Sequence, residues 1–165
     1  MNMTKSLKHM GRRTGAVLVS LLLLLTLAVS ASAAAVKMTV GVRFWRESGD
    51  KESMADSAVD TTREATLTRQ PNGTFTLELP VKQLSSMNMT GSLTGIAIGE
   101  VNYDGTLSGD LSDGTAVLTL KNLPASVLTG SDSSKALAVT CSIRMDTILL
   151  GDIATSAKMS IWVER

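Results

Sequence analysis

Apolar and polar residues alternate along most of the chain beyond residue 35. Val36, Met38, Val40, Val42 and Phe44 are separated by Lys37, Thr39, Gly41 and Arg43, a period of two that marks a strand with one buried face. A second strand is expected at 65–69. Pro71-Asn72-Gly73 supplies turn chemistry, and Phe75, Leu77, Leu79 and Val81 resume the alternation, so 63–82 reads as a hairpin. Pro80 predicts a bulge or an edge position within it. A glycine-punctuated segment at 90–103 precedes a short strand at 106–111, bracketed by the turn pairs Asp104-Gly105 and Asp113-Gly114. Further strands are expected at 115–121, 136–148 and 157–163. In the second of these, Leu137, Val139, Cys141, Ile143 and Met145 share one face.

Two stretches break the alternation. Residues 47–60 leave room for a single helical turn, and 123–134 read as a Gly- and Ser-rich loop. No amphipathic helical stretch interrupts the rest. Seven or eight short strands rich in Val, Thr and Ile, with one short helical turn, predict an all-β antiparallel β-sandwich. Without a repeat or a linker, 34–165 is expected to form one domain.

The first 33 residues have a different character. Lys5, Lys8, Arg12 and Arg13 come first, with no acid among them. An apolar run at 16–29 follows, and then the small residues Ala31-Ser32-Ala33. This order is that of an export signal, cleaved after Ala33. The competing reading is a retained membrane anchor, since 16–36 carries no charge. Cleavage predicts a secreted or cell-surface product.

Removing that segment changes the candidate chemistry. His9 is the chain's one histidine, so 34–165 has none; it keeps one cysteine and one tyrosine. That excludes a Ser-His-Asp triad, histidine-ligated zinc and an intrachain disulfide. Twelve basic residues against fifteen acidic ones make 34–165 a poor partner for nucleic acid. The expectation is a protein that is not an enzyme. Asp104, Asp110 and Asp113 offer oxygen ligands for calcium, but Asp-Gly pairs are also ordinary turn residues. Cys141 is expected to be a buried small hydrophobe, with an intermolecular disulfide as the alternative. Met38, Met145 and Met159 fall on inward strand faces. Met54 does not: it sits in a charged turn off any strand, where an apolar residue needs a contact beneath it or a ligand beside it. Trp45, just before that turn, raises the same question.

The order of these elements resembles the opening of a NEAT (near-iron-transporter) domain, and more closely the exported NEAT-like variants of Gram-positive bacteria. The residues that carry the resemblance are Arg43-Phe44-Trp45, then Ser53-Met54, then Thr62-Arg63-Glu64-Ala65-Thr66-Leu67. It continues through 87–91 and 94–98 into the final hairpin, and so spans most of 36–163. The resemblance implies an immunoglobulin-like β-sandwich that binds haem between the turn after the first strand and the last hairpin, in the service of iron acquisition. It also implies roles for three residues. Ser53 would hydrogen-bond a haem propionate, Met54 would lie against the porphyrin face, and Met145 is the sulfur on the matching hairpin nearest to an iron-ligand position. The departure is the Tyr-x-x-x-Tyr motif, absent from 143–152; the single tyrosine, Tyr103, lies elsewhere. The implied ligand is therefore haem or another flat apolar molecule. The alternative is a non-catalytic module that contacts a surface protein, with Trp45 and Trp162 as aromatic anchors.

Overall fold

In a computed structural model of the chain, residues 35–86, 89–146 and 151–164 are described. The unit Ala35–Arg165 is compact by itself and carries the whole of the described core. The expected signal segment, Met87, and residues 147–150 lie outside the described residues.

Ten strands form one curled antiparallel sheet: β1 (Val36–Arg46), β2 (Ala65–Arg69), β3 (Phe75–Pro80), β4 (Leu84–Ser86), β5 (Met89–Ile98), β6 (Val101–Asp104), β7 (Thr106–Ser108), β8 (Val117–Leu123), β9 (Leu137–Met145) and β10 (Asp152–Val163). Their order is β4-β5-β9-β10-β1-β2-β3-β8-β7, with β6 on the side of β5. The two layers of the sandwich share β1, which changes partners along its length. Val36 to Val40 pair with β2, whereas Val40 to Arg46 pair with β10. Phe44, Leu67, Leu77, Leu93, Leu118, Met159 and Ile161 are among the side chains buried between the layers.

The all-β sandwich expected from the alternation is what the chain forms, and the strand count rises for local reasons. Gly99, with a φ of +59°, turns the chain back so that 89–104 becomes the paired strands β5 and β6. The Pro71-Asn72-Gly73 hairpin is present, with Gly73 at a φ of +84° and the Asn72 side chain accepting from the Thr74 amide. Pro80 marks neither a bulge nor an edge. It ends β3 opposite Val117, and its carbonyl faces the β2 side, beyond the last β2 pair at Thr66 and Glu78, where the Asp60 amide reaches it. The missing proline N–H thus falls where the ladder has already stopped. The irregularity in β3 lies instead between Phe75 and Leu77. The 123–134 loop holds two short 3-10 turns, Ala125–Val127 and Ser133–Lys135.

Candidate functional site

The break at 47–60 is a 3-10 helix, η1 (Met54–Ala58). Three hydrogen bonds fix it to the edge that β1 presents once β2 has been left behind. Ser53 N donates to Phe44 O at 2.9 Å, Arg46 N donates to Lys51 O at 2.8 Å, and Phe44 N donates to the Asp56 carboxylate at 2.7 Å. Asp56 therefore acts as a side-chain substitute for a missing strand. On the same turn, Ala55 and Ala58 are small enough to be fully buried against the core. Burial pushes the Asp56 carboxyl above its ordinary value, opposed by the Phe44 amide bond and then by the charge of Arg43.

This anchoring decides where the two expected site residues on the turn go. Ser53 is buried and caps η1, its Oγ accepting from Ala55 N at 3.2 Å. A hydroxyl that accepts still has its proton to donate. Met54 is the opposite case: with Ser53 and Ala55 turned inward, its side chain is 57% exposed.

The hairpin of β9 and β10 occupies the same end of the sandwich. Arg46 at the end of β1 lies opposite Ala157, so the chain beyond it runs toward the start of β10. Here η1 packs on β1 and also touches β5, the strand that pairs with β9 at Gly91 and Met145. Paired residues share a face, and the Ile143 and Ile153 pair shows the inward face running out of core: Ile143 is 3% exposed and Ile153 is 38% exposed. An Arg144–Asp152 ion pair of 3.1 Å spans the outer side.

Met145 is less available than the sequence suggests. It is partly buried against the core, and a Cβ built on Gly91 would lie 2.9 Å from its Sδ. The thioether thus fills the notch that glycine leaves on β5. The described residues bring Ser53 and Met54 together at the start of η1 and put Met145 on the neighbouring strand pair.

Other candidates resolve more simply. Trp45 packs across the outer face, its Nε1 donating to Ser160 Oγ at 3.0 Å, with the Arg43 guanidinium 5.6 Å from the ring centroid. Trp162 lies over Gly41, where an added Cβ would come within 2.2 Å of the indole. Asp110 and Asp113 each spend an oxygen on their own turn, accepting from Ser112 and from Thr115. Among the described residues no group of three His, Cys, Asp or Glu side chains is placed to hold a metal ion. Cys141 is fully buried, which removes the intermolecular disulfide and pushes the thiol pKa up to about 12. No helix of the described residues is long and apolar enough to cross a membrane. The sequence carries no mark of Asp56's burial, because an acid in a polar turn looks like any solvated acid; Ala55 and Ala58 are the one trace.

No protein-family model matches the chain, and neither does any curated protein sequence. Solved structures do resemble it, two of them NEAT domains. One is the NEAT5 domain of IsdX2, a B. anthracis hemophore, in complex with heme, and the other is a mutant of that domain in complex with heme. Each matches with a TM-score of 0.51 and 8% sequence identity, covering 79% of this chain and 98% of the other.

The fold is NEAT-like. At that identity the likeness concerns the NEAT fold alone. It agrees with the all-β, antiparallel architecture described above.

Proposed function

We propose that this chain is an exported module that binds haem or a related porphyrin as cargo, between η1 and the inward face of the β9–β10 hairpin. The observation that carries the reading is Met54, an apolar side chain held in solvent by a rigid turn, at the end of the fold where Ile153 also emerges from the core. Leaving such a side chain exposed forgoes roughly 1.5–3 kcal/mol of burial, which a flat apolar ligand laid across it restores. The Ser53 hydroxyl would donate to a propionate. The NEAT-like fold adds support, since the similar NEAT5 domain is in complex with heme.

In this reading the chain binds and hands on its ligand rather than transforming it. Neither tyrosine nor histidine is present from 143 to 152 to ligate iron, and the Met145 thioether is occupied against Gly91. Binding therefore rests on the porphyrin faces and edges more than on the metal. The test is titration of haem into the mature 34–165 chain, followed by absorbance in the Soret region. A saturable, shifted band that weakens in Met54→Ala and Ser53→Ala supports the reading. A spectrum identical to haem in buffer rejects it.

A further inference from the structure

A second site lies where β1 parts from β2, beside the Val59 end of η1. The last pair joining the two strands is Val40 with Ala65, and the first bonds that η1 and its turn make to the same edge are at Phe44. Val42 falls between them. Its partner across β10 is Ile161, yet Ile161 directs both backbone groups the other way: its N–H donates to Thr129 Oγ1 and its carbonyl accepts from Thr129 N and Gly130 N. By alternation the Val42 N–H and C=O point into the gap beside β2, where no described residue bonds them. Unpaired groups on a strand edge that line a cleft are met by water or by a backbone from outside the chain.

The gap is a cleft of about 220 Å³. Trp162 forms one wall, its indole lying over Gly41. The opposite wall is held rigid by Arg63, whose guanidinium pairs with Asp60 and also reaches the carbonyls of Gly114 and Ala116. Asp60 is thereby neutralised, and Arg43 is neutralised by Glu52 at 2.9 Å. The lining carboxylates of Glu64 and Glu164 make no ion pair among the described residues.

From this arrangement we infer that the cleft takes a short extended segment of another polypeptide, a small residue next to a lysine or arginine. The small residue lies opposite Val42 and exchanges two backbone hydrogen bonds with it, as in strand addition. Its side chain shares the inward face of buried Val42, so only glycine or alanine fits. The neighbouring side chain turns outward to the Trp162 side, where the indole face and the two glutamates favour a cation. The inference does not rest on haem binding.

The experiment uses isotope-labelled 34–165 and the probe acetyl-Ala-Lys-amide, with acetyl-Ala-Glu-amide as the charge-reversed comparison. The lysine peptide is expected to shift the Val42 amide and Trp162 indole resonances saturably at millimolar concentration. Replacing both exposed carboxylates, Glu64→Gln with Glu164→Gln, should weaken it roughly two- to tenfold, the scale of two solvated charge contacts. Silence at Val42 under the lysine peptide overturns the inference. Equal binding of the glutamate peptide, or undiminished binding to the double variant, overturns it as well.

Discussion

Replacing Asp56 by alanine tests the claim that one carboxylate stands in for a strand. The Phe44 N–H donates to Asp56 over 2.7 Å in a buried setting, and alanine leaves that donor without a partner. An orphaned buried amide costs about 1–3 kcal/mol. Removing a desolvated carboxylate offsets part of this, because burial holds the Asp56 pKa above its ordinary value. The charge of Arg43, which favours the carboxylate, works against that offset. The net expectation is a loss of about 2 kcal/mol, or roughly 5–10 °C in midpoint for a domain of this size. Asp56→Asn keeps an acceptor oxygen in place and should lose no more than about 1 kcal/mol. Chemical denaturation of the mature chain and both variants, read by tryptophan fluorescence, makes the comparison. A loss below about 0.5 kcal/mol for alanine, or equal losses for alanine and asparagine, would refute the argument.

Three further outcomes follow from the packing and the charges. Gly41→Ala drives a Cβ to within 2.2 Å of the Trp162 ring, so it should cost about 1–3 kcal/mol and change Trp162 emission; unchanged emission would show that the indole does not lie there. Cys141, fully buried with its thiol pushed up to about 12, should react with a thiol reagent only as fast as the domain opens, and immediate labelling of the native protein would contradict its placement. The pH dependence has two opposing parts. The raised pKa of Asp56 stabilises the fold at low pH, and that contribution is lost as pH rises from its ordinary 3.8 through the raised value. Asp60, held down by the Thr62 hydroxyl, and Glu78, held down by Lys37 and then Thr66, contribute stability that is lost as pH falls through their lowered values. Stability measured from acid to neutral pH should therefore rise more steeply in Asp56→Asn than in the parent chain, and parallel curves would refute the assignment.

The sandwich was legible where burial contrast is strong. Val40, Val42 and Phe44 alternate with more polar neighbours because their face meets the core, and the same holds for Val139, Cys141 and Ile143. Where contrast fades, so does the signal. Asp152, Ile153 and Ala154 all remain exposed, and the hairpin consequently runs five residues earlier than the expected start at 157. The exchange of partners at Val40 leaves no mark on periodicity, since β1 keeps one face inward against both neighbours. This is why the open Val42 edge and its cleft were not foreseen. On η1, the exposure of Met54 follows from its charged surroundings, whereas the inward turn of Ser53 and the burial of Asp56 depend on Phe44, about ten residues away in the chain. Met145 was correctly placed on an inward face, but its contact with Gly91 belongs to strand register, which a single sequence does not state.

The most direct test of the central proposal is to follow the methionine methyl groups of 34–165 while adding gallium protoporphyrin, a diamagnetic counterpart of haem. A porphyrin laid on η1 should move the Met54 methyl most strongly upfield by its ring current. Met159, fully buried in the core, should stay in place. If no methyl resonance moves, or if the displaced one belongs to a methionine away from η1 and the last hairpin, the proposed site is wrong.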